Sequence, residues 1–245
     1  LMSEFQAYLL LGFNHITDSR GYDHILFIMA LCTVYTLVDW KKVVILVTAF
    51  TIGHSVTLAL STLGLVNVDK DWIELLIPVT IVITAVFNFF YKTPKSHAAQ
   101  PERTSSFRYV IALVFGLIHG LGFSNYLRAL LGQEAEITSP LLGFNIGLEL
   151  GQLIIVFIVL CIAFVAIELL RVQRMSWVNI LSGIIAGMAL SLILNNEFFR
   201  SLTTVNTTTA SLAYTNTHDD EKNAAPVTYP ADHCGILCPA AAYVA

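Results

Sequence analysis

The sequence predicts an all-α membrane protein, a polytopic bundle of about six transmembrane helices. Three observations predict it: only 12% of the 245 residues are charged, the mean hydropathy is +0.72, and charge-free runs of spanning length follow one another along the chain. A soluble domain carries about 25% charged residues, so a polar shell around a globular core cannot be assembled from this composition. Lipid is the solvent that suits such a surface. The formal net charge of −4 has no basic stripe or cluster behind it, which sets nucleic acid aside as a partner.

The runs 43–64, 75–91, 109–127, 141–167 and 177–196 hold no charged side chain except Glu149. Each is near the ~20 residues that a helix needs to cross ~30 Å of hydrocarbon. A sixth span is expected over 21–38, with Asp23 and His24 at its polar beginning. Ahead of it, 5–13 is apolar but about half of spanning length, which predicts a short interfacial or re-entrant helix; counting it as a span gives the alternative of seven. Met2 is not followed by a basic stretch with a cleavage site, so no removable signal peptide is expected.

Cations set the expected orientation. Lys41 and Lys42, then Lys92, Lys95, Arg103 and Arg108, then Arg171 and Arg174 fall in the first, third and fifth connections. The others hold Lys70 and Arg128 among Asp69, Asp71, Glu134 and Glu136. The positive-inside rule then makes the odd connections cytoplasmic and puts both termini outside the cell (inner) membrane. Residues 1–200 form the bundle in this reading, and 201–245 an irregular extracytoplasmic tail. The tail is rich in Thr, Ala, Asn and Asp, contains Pro226, Pro230 and Pro239, and lacks helical periodicity. It is a candidate docking segment for a protein partner, and Cys234 and Cys238 within it are candidates for a disulfide or a weak metal clip. Cys32 and Cys161, inside spans, read as ordinary buried hydrophobes.

Ionisable groups inside a span cost several kcal/mol unless they face a cavity or a partner. They are His24, His54, His119 and Glu149, with Asp23 and His15 close by in sequence. Any single one of the histidines reads equally well as a hydrogen bonder in helix packing; four ionisable groups together point to a site. His54 and His119 lie near the middles of their runs. Glu149 and His24 are expected on the order of 10 Å outward of that level. Asn145, Glu149 and Gln152 share one face of their helix at i, i+4 and i+7, and His54, Thr57 and Ser61 share another. Such polar stripes turn inward. Gly116 and Gly120, and Gly183, Gly187 and Ser191, are spaced for close helix contact. Phe50-x3-His54 recurs as Phe115-x3-His119, and thirty residues separate both His24 from His54 and His119 from Glu149, a pattern of the kind left by internal duplication.

Imidazole nitrogen with carboxylate oxygen suits a divalent transition metal such as nickel, zinc or cobalt, and lacks the all-oxygen character of a Mg or Ca site. The ligands are His24, His54, His119, Glu149 and Asp23, with His15, Asn145 and Gln152 as entry or supporting positions. Such a site should empty as pH falls through the histidine range near ~6.5. A proton relay through the same groups is the competing chemistry.

The segment His15 to His24, with Gly21, Asp23 and His24 leading into Leu26 and Phe27, resembles the His-xn-Asp-His opening of the HupE/UreJ family of hydrogenase and urease accessory proteins. Phe50 to Leu58 (FTIGHSVTL), Gly116 to Phe123 (GLIHGLGF) and Phe144 to Gln152 (FNIGLELGQ) are similar to later blocks of its second subfamily. The likeness covers about residues 12 to 195, and four blocks in order are a specific signal. It implies a polytopic protein that handles nickel or a similar divalent ion and passes it across the membrane. His15, Asp23, His24, His54, His119 and Glu149 occupy the matching motif positions. Seven residues separate His15 from Asp23, more than in the related nickel-permease motif.

Three functions are then open. A permease would bind the ion between His54, His119 and Glu149 after entry past Asp23 and His24. An intramembrane zinc-dependent hydrolase would hold its metal with the same residues, with Glu149 or Asp23 as general base. A structural or partner-binding subunit would use the tail.

Overall fold

The computed structural model describes residues 3–91, 102–131 and 137–203, apart from the side chains of 20 and 102–105. The bundle belongs to a compact unit, Leu1–Ser201, and Leu202–Ala245 make a second. The 204–245 segment, with Cys234, Cys238 and the tail's docking role, lies outside the described residues, as do Lys92, Lys95, Glu134 and Glu136. Among the described residues the long helices are α1 (Glu4–Thr17), α2 (Asp23–Cys32), α3 (Trp40–Thr62), α4 (Lys70–Phe89), α5 (Glu102–Leu131), α6 (Thr138–Phe164) and α7 (Arg174–Asn195), and 197–203 is also helical. No strand occurs among the described residues. Helices α3 to α7 are long and apolar enough to cross a membrane, and α6 runs on into a π-helical turn, Val165–Leu169.

Local chemistry sets the ends. A reciprocal capping box starts α1: Ser3 Oγ accepts from the Gln6 amide and Gln6 Oε1 from the Ser3 amide. The Asp69 carboxylate caps α4 by accepting from the Asp71 amide. After α1 the run Asp18-Ser19-Arg20-Gly21 is made of residues that favour turns, and the chain goes through one 3-10 turn before α2 begins at Asp23.

The 21–38 span is therefore not one continuous helix. Only its first part is α-helical, ten residues long, and a 3-10 turn, Leu37–Asp39, follows at its end. The helix ends where Thr33 and Thr36 bring hydroxyls that bond locally, Thr33 to the Met29 carbonyl and Thr36 to the Asp39 carboxylate, in competition with further helix. By a rise of about 1.5 Å per residue, α1 is about 21 Å long and α2 about 15 Å, so neither crosses ~30 Å alone.

Backbone contacts give their direction. Gly143 of α6 lies against Phe5 and Gly147 against Leu9, so α1 runs parallel to α6 from the face where α6 begins. At the other face Asn88, in the last turn of α4, donates through Nδ2 to the Ala30 carbonyl of α2 (2.7 Å), and Arg174, at the start of α7, donates to the Val34 carbonyl (2.8 Å). One crossing is thus made in two pieces, interrupted at depth. Five more are continuous.

A second parallel pair mirrors the first. Gly116 of α5 lies against Phe50 of α3, and Gly120 against His54. At Gly147 and Gly116 a Cβ would collide with a backbone carbonyl, of Leu9 and of Phe50. These pairs are held by backbone approach, the form of packing available where lipid removes the hydrophobic driving force. The glycines of α7 behave differently. A Cβ on Gly183 or Gly187 would meet nothing within 4 Å, because α7 turns Val178, Ser182, Ile185 and Ala189 inward instead.

Arg108, Arg174 and Lys42 gather at one face, whereas Lys70, Arg128 and Arg200 lie at the other. Arg108 donates to Asn88 Oδ1 (3.4 Å), Arg108 and Arg174 both lie against the Tyr91 ring, and Lys42 pairs with Asp39 at 2.9 Å. Asn88 is fully buried and satisfies one of the end carbonyls of α2. Asn88→Ala is expected to cost about 1–3 kcal/mol by leaving that carbonyl and the Arg108 guanidinium short of a partner. Thermal unfolding in detergent should register it as a lowered midpoint; an unchanged midpoint would show that the contact carries no stability.

Candidate metal centre

Four histidines from four helices meet at the level where α1 and α2 part: His15 on α1, His24 on α2, His54 on α3 and His119 on α5. Ring centres of His15 and His24 are 4.8 Å apart, His24 and His119 5.2 Å, His15 and His54 6.2 Å, and His24 and His54 6.5 Å. Two imidazoles on one tetrahedral ion, with metal–nitrogen bonds of about 2.0–2.1 Å, have ring centres about 5 Å apart. The cluster is of that size but looser. Among the described residues, no group of three or more His, Cys, Asp or Glu is already closed to the spacing of a metal centre.

The tautomers can be read from the partners. Asp23 Oδ1 lies 3.1 Å from His24 Nδ1. An ionised carboxylate only accepts, so this nitrogen carries the proton and Nε2 has the lone pair. Thr80 donates its hydroxyl to the Ile77 carbonyl (2.7 Å), so toward His119 Nε2, at 3.0 Å, its oxygen accepts. The lone pair of His119 is then on Nδ1. His24 Nε2 and His119 Nδ1 are both buried without a hydrogen-bond partner, and so are His15 Nε2 and both ring nitrogens of His54. A buried polar atom without a partner costs about 1–3 kcal/mol. Several together around one point suit a cation that accepts lone pairs, and a carboxylate or hydroxyl holding the far nitrogen is the usual way such imidazoles are oriented.

Aromatic rings wall the cluster. Phe27 and Phe50 stand 4.9 Å and 5.2 Å from His119, Phe144 stacks over His54 at 6.3 Å, and Phe123 lies 4.1 Å from His15. Phe27, Phe50 and Phe144 are almost completely buried. The low-polarity surroundings strengthen any charge–dipole interaction made within them.

Of the other expected residues, Glu149 and Gln152 bond threonines of α3. Glu149 accepts from Thr48 (2.8 Å), and Gln152 Oε1 from Thr51 (2.7 Å). Thr48 precedes His54 by six residues, about 9 Å along α3. The polar face of α6 does turn toward α3, with Gln152 fully buried. Asn145 has a buried Oδ1 without a partner. His24, expected outward of the middle, is instead level with His119, because α2 starts at depth rather than at a membrane surface. Asp23 bonds His24 through both its ring and its backbone amide.

Three contributors were not anticipated as site residues from the sequence. Thr80 orients His119, and it begins a stripe of Thr80, Thr84 and Asn88, all buried on α4. Their spacing of i, i+4 and i+8 was the available signal. Phe123 and Phe144 stood in the blocks GLIHGLGF and FNIGLELGQ but gave no sign there of a role in the site beyond hydrophobicity.

The family description "HupE / UreJ protein" matches residues 1–199. Among curated proteins and among solved structures, nothing matches at a significant level. The helical bundle, its apolar crossings and the extent of the match agree: this chain belongs to the HupE/UreJ family.

Proposed function

We propose that the protein is a permease, or a metal-delivery accessory of the same design, for a divalent transition metal ion, with nickel as the first candidate and cobalt or zinc as alternatives. The observation that carries the reading is the convergence of partnerless buried lone pairs on His15, His24, His54 and His119. The ion is cargo. His24, His54 and His119 hold it; Asp23 and Thr80 fix which nitrogens face it. A site divided among four separate helices supports transport over permanent retention, since a cargo site has to release. The interrupted crossing α1–α2 supports it too, because transporter sites are typically built where a membrane helix is broken. Glu149, Gln152 and Asn145 line the α3–α6 contact beside the site. The collection of Arg108, Arg174 and Lys42 at one end supports a cytoplasmic assignment for that face and extracytoplasmic termini.

Uptake of radioactive nickel or cobalt by cells tests the reading. His54→Ala and His119→Ala should reduce it to background while the protein still accumulates and elutes as a single species in detergent. Undiminished uptake would reject the proposal. One tightly held zinc per chain after purification without added metal would favour the hydrolase instead.

A further inference from the structure

The interruption between α1 and α2 leaves a recess of about 490 Å³ on the side of the histidines away from Phe27 and Phe50. Its wall includes Asn14, His15, Asp18 and Ser19, with Phe123 and Tyr126 of α5 opposite. Asn14, Asp18 and Ser19 are exposed. They are also deep. Thr17, at the end of α1, lies against Gly151, the fourteenth residue of α6, about 20 Å along that helix. Polar side chains and an interrupted backbone at such depth cannot face hydrocarbon. Tyr126 stands five residues from the C-terminal end of α5, so the recess leads toward the face where α5 ends and α1 begins.

Its size and its inner wall suggest a use. A divalent ion with six waters, at about 30 Å³ each, needs about 180 Å³, which the recess can hold. On the inner side, the Phe123 ring stacks on Phe144 at 5.0 Å and packs against His15 at 4.1 Å. Behind that aromatic wall are His24 and His54. His15 has neighbours on both sides: it lines the recess, and its ring is 4.8 Å from His24 with Nε2 lacking a partner.

We infer that the recess is an aqueous vestibule that takes a hydrated divalent cation from the extracytoplasmic side. Asn14 and Ser19 hydrogen-bond its water shell, and Asp18 lines the same chamber. His15 Nε2 is the first protein atom to replace a water, and Phe123 keeps bulk water from the inner imidazoles. The exchange swaps one ligand for another and alters no covalent bond of the protein. Delivery onward to His24, His54 and His119 rests on the function proposed above; the existence of a wet, cation-binding chamber does not.

Cysteine accessibility tests it. In a background with Cys32, Cys161, Cys234 and Cys238 replaced by serine, Asn14→Cys and Ser19→Cys are made separately, with Ile154→Cys on the exposed apolar face of α6 as control. A cationic, membrane-impermeant methanethiosulfonate is added to intact cells. Reaction is expected at positions 14 and 19 and not at 154. Nickel chloride at about ten times its dissociation constant should slow the reaction about tenfold, and His15→Ala should remove that protection. Labelling of 14 and 19 by a lipid-soluble maleimide alone would mean a dry surface, covered by lipid or a second copy, and overturns the inference. Access only from the cytoplasmic side, or access without protection by nickel, overturns it as well. A vestibule that passes while His54→Ala leaves uptake intact would reject the permease and keep the chamber; a dry recess with His54-dependent uptake would do the reverse.

Discussion

Gly147→Leu is expected to prevent the bundle from assembling. The backbone of Gly147 lies against the Leu9 carbonyl so closely that even a Cβ has no room, and both sides of the contact are main chain. Overpacking against movable side chains costs about 1–3 kcal/mol. Here neither helix can yield without separating, so the cost should exceed that range, a large fraction of the ~5–15 kcal/mol that holds a typical fold. Separation would also remove His15 from the other three histidines. Gly183→Leu provides the matched control, since a side chain on that α7 position enters open space. Size-exclusion profiles in mild detergent should show a single species for Gly183→Leu and aggregate or no recoverable protein for Gly147→Leu. Equal profiles and equal melting for the two would contradict the packing described.

The second large effect is expected from Asp23→Asn. The carboxylate holds the proton of His24 on Nδ1 and leaves the Nε2 lone pair facing the other imidazoles. An asparagine amide can donate to Nδ1 instead, which moves the ring proton to Nε2 and turns a metal-binding atom into a donor. The expected loss of nickel or cobalt affinity is about 10–100-fold, the usual range for a lost orienting partner, with unfolding little changed because the side chains are nearly equal in volume. Thr80→Val should act in the same direction on His119. Competition titration of the purified protein with a coloured chelator measures both. Affinity equal to that of the parent would show that these partners do not set the tautomers.

Charge-free runs located the five continuous crossings well, and their helices extend past the runs at the polar ends; Lys70, Asp71 and Glu74 all lie within α4. Hydropathy did not reveal the interrupted crossing. It sums apolar character over 21–38 without registering that Thr33 and Thr36 can bond locally and stop the helix. With 5–13 read as a short interfacial or re-entrant helix, His15 was an entry or supporting residue; α1 reaches far enough to bring its imidazole within 4.8 Å of His24. The inner histidines were legible because an ionisable group in an apolar run stands out. Glu149 stood out equally. Periodicity gave its helix face, but which neighbour it meets there depends on how α3 and α6 cross, and it meets Thr48. Thr80 was missed because a threonine in a membrane helix costs little, its hydroxyl being able to bond its own backbone, as it does to Ile77.

The two glycine-tight pairs carry three of the four histidines, and α2 carries His24. His15 travels with α1 and α6, His54 and His119 with α3 and α5, and only side chains and the short α2 join one pair to the other at this level. Metal–ligand bonds tolerate displacements of about 0.2 Å, so an ion coordinated from both pairs would act as a rivet across the seam. Slippage of one pair past the other by a fraction of a helical turn would shear that rivet and leave each pair internally unchanged.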